Sequence, residues 1–248
     1  MSMRTGPLSS ALHSVLDFLL PTSCAFCRSP VGKSPVPRLC STCWSDVTPL
    51  HAPVCPSCGR PFESPEALAH SPEHICGSCR KTPPKFDQAL STGLFEGPLR
   101  EAIHQFKYRP CRALGKPLGR WMAEHVNVLL PVDMIMPVPL HRTRLRTRGF
   151  NQSLLLAHQV GRHKGIRLVM DNLVRVRATR PQVELNGIER KRNVAGAFLV
   201  RRPEEVRERH ILLVDDVFTT GATLEECAST LKESGASRVT ALTLARAG

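Results

Sequence analysis

A chain of 248 residues suits one large domain or two modest ones. Hydrophobic residues at 42% and charged residues at 22% exclude a wholly disordered chain. No apolar run approaches the ~20 residues a membrane helix needs. The 34 Lys and Arg against 21 Asp and Glu leave a formal charge of +13, which favours anionic partners. The excess is local: residues 100–210 hold 23 basic against 9 acidic side chains, and the rest is near neutral.

The first 20 residues are moderately apolar but interrupted by His13 and Asp17, and no small-residue cleavage site follows. An amphipathic helix over 1–20 fits better than an export signal, with Leu8, Leu12, Val15, Leu16, Leu19 and Leu20 near one face. A cytoplasmic chain is expected, and its ten cysteines then stay reduced.

Eight of them form four C-x-x-C pairs: Cys24/Cys27, Cys40/Cys43, Cys55/Cys58 and Cys76/Cys79. Each pair places two thiolates in one knuckle, and two knuckles complete a tetrahedral shell around Zn²⁺. Four thiolates leave no position for water, so such sites are structural. Four regular pairs argue against buried free thiols or redox couples. Successive pairing and cross-braced pairing both satisfy the spacing. His51, His70 and His74 could each replace a thiolate. Residues 21–83 are poor in apolar periodicity, so metal binding of about 10–16 kcal/mol per site would stabilise this double zinc ribbon. Cys111 and Cys227 stand alone, Cys227 as a core residue of a helix.

Pro83, Pro84 and Lys85 read as a linker. Beyond it come a strand over 89–95, helices over 99–108 and 114–130, and a buried strand over 134–138. A helix over 151–162, strands over 196–200 and 211–214, a helix over 223–234 and a strand over 239–244 follow. Strands alternating with helices predict an α/β domain over 86–248, a parallel sheet flanked by helices.

Residues 210–224 read HILLVDDVFTTGATL. An apolar strand ends in Asp215 and Asp216, whose carboxylates can accept hydrogen bonds from the vicinal hydroxyls of a sugar. Thr219, Thr220, Gly221, Ala222 and Thr223 then lead into a helix, whose N-terminal N–H groups and dipole favour a phosphate. No Walker-type GxxxxGK[ST] loop occurs in the chain. This segment resembles the phosphoribosyl-pyrophosphate (PRPP) signature of the type I phosphoribosyltransferases. The resemblance implies that Asp215 and Asp216 hold the ribose hydroxyls and that residues 219–223 wrap the 5′-phosphate. Mg²⁺ would accompany PRPP to neutralise its pyrophosphate. Purine-specific members of that fold often carry an acidic residue where Thr219 stands, which weakens a purine-transferase reading.

Arg142, Arg144, Arg146 and Arg148 alternate in a predicted loop after the strand over 134–138, at the same sheet edge as Asp215. Arg142 and Arg148 are taken as pyrophosphate ligands, since guanidinium groups chelate phosphate oxygens. A solvated charge run or a nucleic-acid contact is the alternative. The polar stretch 179–198 reads as a flap whose Arg190, Lys191 and Arg192 could stabilise departing pyrophosphate; a plain surface loop reads equally well. Arg175, Arg177, Arg201 and Arg202 lie outside these segments and are assigned to electrostatic contacts with single-stranded DNA. One Tyr and two Trp argue against a base-stacking platform.

Together these pieces resemble the ComF competence-protein family: the apolar N-terminal helix, the paired knuckles, Phe106-Lys107-Tyr108, V-P-L before R-G-F-N-Q, R-x-x-N-V-x-G-A-F, and the acidic PRPP loop. The resemblance spans nearly the whole chain. It implies a phosphoribosyltransferase-like domain with a zinc module, binding PRPP or a related phosphorylated ribose. It also implies a role in handling imported single-stranded DNA, with DNA-uptake proteins as partners. The alternative is a zinc-ribbon adaptor for nucleic acid whose PRPP loop is regulatory or vestigial.

Overall fold

A computed structural model describes residues 22–51, 53–62, 73–108, 111–126, 131–179 and 187–248. The helix expected over 1–20, His70, and parts of the segments 114–130 and 179–198 lie outside the described residues.

The centre is a four-stranded sheet, ordered β1-β6-β5-β2 and parallel throughout: β1 (Gln88–Leu94), β2 (Met134–Pro137), β5 (His210–Phe218) and β6 (Arg238–Arg246). The long strands are apolar on both faces, as a parallel sheet requires. Along β5, Ile211 and Leu213 point into one hydrophobic cluster, and Leu212 and Val214 into the other. Leu168 forms a parallel bridge to Ile135 at the outer edge of β2.

One face carries α3 (Gly97–Tyr108), α4 (Gly115–His125) and α6 (Gln152–Lys164). The other carries α9 (Ala222–Glu233). Two short strands, β3 (Leu173–Arg175) and β4 (Phe198–Val200), pair antiparallel in a separate sheet. The strand expected over 196–200 is therefore present, but it does not join the parallel sheet. Helix α7 (Gly187–Val194) precedes β4, and the single-turn helix α8 (Pro203–Val206) follows it.

The segment expected as a loop after β2 is a helix, α5 (Arg142–Arg148), capped by the His141 side chain and closed by Gly149. Its R-T-R-L-R-T-R alternation has a period of two and hides the helix. No residue of α5 is fully buried. Its i, i+4 pair Arg144 and Arg148 shares one face, turned toward the cavity described below.

The cysteine knuckles clasp the edge of the sheet at β1. Leu50 N–H donates to Thr92 O at 2.7 Å, and Pro49 bridges Gly93, so the linker between knuckle pairs covers this edge. Cys24, Cys40 and Cys43, with α1 (Ser41–Ser45), join the cluster of α3, α4 and α6. There Trp44 meets Trp121 edge-on at 5.6 Å, a contact of about 0.5–1.5 kcal/mol beyond its area. Cys55, Cys58, Cys76 and Cys79, with α2 (Gly77–Lys81), join the cluster on the α9 face. Among the described residues no helix is long and apolar enough to cross a membrane.

Candidate functional site: a phosphate loop, an acidic pair and an arginine wall

The carboxyl ends of β2 and β5 open onto a cavity of about 470 Å³ lined by α5, β3, the start of α9 and the end of α3. β5 runs on through Asp215 and Asp216 to Phe218, so the sheet itself holds both carboxylates. Asp215 Oδ1 accepts from the Ser153 hydroxyl at 2.8 Å and from the Asp216 backbone N–H at 2.9 Å. Asp216 pairs with Lys107, Nζ to Oδ1 at 2.8 Å, both side chains largely buried. Burial and the neighbouring Asp216 charge push the Asp215 carboxyl up to about 6, against the opposing pull of Lys107.

The loop after Phe218 turns at Gly221, whose φ of 77° is left-handed. A Cβ there would meet the Phe218 ring at 2.7 Å, so only glycine fits both the turn and the contact. Gly221, the N-cap of α9, offers no side chain to the helix start, and Thr219, Gly221, Ala222 and Thr223 all contribute to the cavity lining. Thr220 is exposed, and its hydroxyl accepts from Ala222 N–H at 3.5 Å.

The opposite wall is cationic. Arg144, Arg148, Arg175 and Arg190 line it. Arg144 donates to Thr179 O at 3.3 Å, and Arg148 donates to Gln152 Oε1 at 3.2 Å and stands over the Tyr108 ring. Arg175 bonds the Thr179 hydroxyl and packs over Phe198, leaving its buried Nε without a partner. Among the described residues none of Arg144, Arg148 and Arg175 forms an ion pair with a carboxylate. Burial lowers the affinity of Arg144 and Arg175 for their protons, and each is lowered further by a neighbouring arginine. Partly desolvated cations without a contact ion pair are costly, and a polyanion in the cavity would relieve that cost.

The sequence-derived residues do not all meet here. Asp215, Asp216, Thr219, Gly221, Ala222, Thr223 and Arg148 do. Arg142 points to the far side of α5, into a second groove with Leu145, Met170 and Arg201. Of the three flap cations only Arg190 lines the cavity; Lys191 pairs with Glu225 at 3.2 Å, and Arg192 is exposed. Arg175, assigned from sequence to DNA, is a wall of this cavity instead. Arg202 is held by Asp171 and Glu205, and Arg177 by the carbonyls of Asn193 and Ala195. Sequence reasoning gave no role to Lys107 or Ser153, and it placed Arg144 in the arginine run read as recognising pyrophosphate without singling it out as a ligand. Lys107 had a signal in the Phe-Lys-Tyr element; Ser153, at the second position of a helix, had none.

The pairing around Asp215 has a measurable consequence. Its proton affinity is raised on folding, so its stabilising contribution is complete below the unfolded value near 4 and lost as pH rises through about 6. Asp215→Asn should therefore raise the melting temperature of the ligand-free protein at pH 7.5, and the gain should be much smaller at pH 4.5. Thermal melts at the two pH values check this; a variant less stable at pH 7.5 would contradict it.

Both cysteine groups are assembled from successive pairs, Cys24/Cys27 with Cys40/Cys43 and Cys55/Cys58 with Cys76/Cys79. Within each group the four Sγ atoms lie within 4.8 Å of one another. Cys27–Cys40 at 3.6 Å and Cys58–Cys76 at 3.7 Å match the roughly 3.8 Å edge of a tetrahedron with 2.3 Å Zn–S bonds. Backbone N–H groups of Cys43 and Cys76 donate to the Cys40 and Cys55 sulfurs, which helps to fix these side chains in place. The residues fit two structural zinc ions, and no histidine belongs to either group among the described residues. Cys227 is fully buried in α9.

Comparison with known proteins agrees with this geometry. The double zinc ribbon domain matches residues 15–80, and the phosphoribosyl transferase domain matches residues 151–248. "DNA utilization protein YhgH" of Escherichia coli K12 is 34% identical over 233 residues, 92% of this chain and 98% of that protein. "Competence protein F" of Haemophilus influenzae is 32% identical over 216 residues, 84% and 90% of the two chains. "Competence protein ComFC" of Bacillus subtilis is 27% identical over 224 residues, 86% and 85%. With a zinc ribbon, a phosphoribosyltransferase domain and end-to-end similarity to these proteins, the chain belongs to the ComF family.

Proposed function

We propose that the cavity binds PRPP, or a closely related phosphorylated ribose, together with Mg²⁺. One observation carries this reading: an acidic pair shares one cavity with the glycine-led start of α9 and with Arg144, Arg148 and Arg175, none of which forms an ion pair with a carboxylate among the described residues. PRPP has the matching order of groups, a vicinal diol between a 5′-phosphate and a pyrophosphate. Asp215 and Asp216 would accept the diol hydroxyls, residues 219–223 would hold the 5′-phosphate, and Arg144, Arg148 and Arg175 would face the pyrophosphate. Mg²⁺ supplies a hard cation for the pyrophosphate oxygens. Lys107 would release Asp216 to the ligand and remain as a local counter-charge. Thermal melts with Mg²⁺ and PRPP, ribose 5-phosphate or pyrophosphate test the reading. PRPP should stabilise most, because it engages both ends of the cavity; equal shifts with pyrophosphate alone would reduce the site to a general anion pocket.

The names of the relatives, a DNA utilization protein and two competence proteins, support a role linked to competence and the use of DNA; a cytoplasmic location and DNA-uptake proteins as partners belong to the same proposal. Any contact with single-stranded DNA would be electrostatic, because exposed aromatic residues are few. The exposed Arg177 and Arg201 remain as candidates, with Arg175 withdrawn to the cavity. Each phosphate contact contributes about −0.7 to the slope of log K against log salt. Replacing both with Ala should make the slope less negative without weakening PRPP. A slope near zero in the unmodified protein would remove DNA as a direct ligand.

A further inference from the structure

The second cysteine knuckle is joined to the phosphate loop by a short chain of contacts. Arg246, the last residue of β6, is 3% exposed. Its Nη1 donates to the Cys58 carbonyl at 2.6 Å, and its Nη2 lies 3.9 Å from the Cys58 sulfur. Its guanidinium lies 4.2 Å from the centre of the Phe218 ring. That ring is the surface against which Gly221 turns, 2.7 Å from where a Cβ would stand.

The far end of this chain is firmly held. Ser57 O accepts from Ala89 N–H at 2.8 Å, and a Cβ on Gly59 would meet Ala89 O at 2.6 Å, so the knuckle sits directly on the β1 backbone. Phe218 is steadied by Phe86, edge-on at 6.0 Å, and its carbonyl accepts from Ala247 N–H at 2.8 Å. Among the described residues the first cysteine group has no such link; it packs on the opposite face of the sheet.

We propose that Arg246 and Phe218 form a strut through which the second zinc knuckle sets the conformation of the phosphate loop. Zinc in that knuckle would fix the Cys58 carbonyl, Arg246 would transmit its position as a hydrogen bond and a cation–π contact, and Phe218 would hold Gly221 in its left-handed turn. The thiolate charge of the knuckle also explains why a buried arginine belongs there, with no carboxylate ion pair among the described residues. Arg246 and Phe218 are thus positioning residues. The proposal rests on the PRPP reading for its ligand and on the contacts alone for its mechanics.

The test compares the zinc-loaded full chain with Arg246→Met, Arg246→Lys and Phe218→Leu. Leu118→Ala, a core truncation on the opposite face, controls for general loss of stability. Zinc content is measured by elemental analysis, PRPP affinity with Mg²⁺ by calorimetry, and amide exchange by mass spectrometry without ligand. Arg246→Met and Phe218→Leu should keep two zinc ions per chain and bind PRPP at least tenfold more weakly. Their amides over 219–223 should exchange faster while those over 211–214 stay protected. Arg246→Lys, which keeps the charge, should recover part of the affinity. Leu118→Ala should melt earlier with wild-type affinity and wild-type exchange over 219–223. Wild-type exchange over 219–223 in Arg246→Met would overturn the strut. An affinity loss in Leu118→Ala matching that of Arg246→Met would do the same. Failure of the unmodified protein to bind PRPP would defeat the ligand reading instead, and the exchange comparison would still decide the strut.

Discussion

Stripping zinc from the reduced protein is expected to unfold more than the ribbon. Each Cys₄ site of this kind contributes about 10–16 kcal/mol to folding, against about 5–15 kcal/mol for the net stability of a whole domain. Both groups are packed into the two hydrophobic clusters that cover the sheet. Cys24, Cys40 and Cys43 share one with Ile103, Phe106 and Trp121; the second group shares the other with Phe86, Phe218 and Ala241. From sequence alone, residues 21–83 look like a module that could be lost separately. The packing predicts otherwise: after chelation the edge strand β1 loses its cover, and both faces of the sheet lose buried surface. Elemental analysis should give two zinc ions per chain. Circular dichroism after treatment with a strong chelator should show loss of the cooperative melt of the whole protein. A chelated protein that keeps its full transition would show that the thiols are structural without metal.

The parts of this fold legible in the sequence are those fixed by local chemistry. The four C-x-x-C pairs announce their ligand set because thiolates at that spacing have few other uses. The run from Ile211 to Thr223 announces strand, acidic pair and phosphate loop in one stretch, because every part of that site lies on contiguous chain. The strands over 88–94, 134–137 and 238–246 follow from apolar runs bounded by polar turns.

What escaped the reading depends on distance or on a misleading period. The pairing of cysteine knuckles is set by how they straddle β1, which no spacing encodes. Arg142 and Arg148 look equivalent in an alternating run, yet the helix turns them toward different grooves, and of the four arginines it is Arg144 and Arg148 that line the cavity. Arg175 reads as one more exposed cation, and only the antiparallel pairing of β3 with β4 brings it to the cavity. Lys107 reaches Asp216 across more than a hundred residues of chain, a contact that only the tertiary fold can make.

Calorimetric titration of PRPP with Mg²⁺ into the unmodified protein and into Asp215→Asn/Asp216→Asn measures the central claim. Hydrogen bonds to charged acceptors contribute about 1.5–3 kcal/mol each, so losing both charges should weaken binding at least roughly a hundredfold. Relieving the buried Asp215 charge favours the ligand-free fold near neutral pH while Asp216→Asn breaks the buried pair with Lys107, so the melt of the double variant is recorded beside the titration to separate lost binding from lost folding. The double variant should keep its two zinc ions and its cooperative melt while the heat of PRPP binding disappears. Equal affinity in the two proteins would contradict the account and place the ligand somewhere other than the carboxyl end of β5.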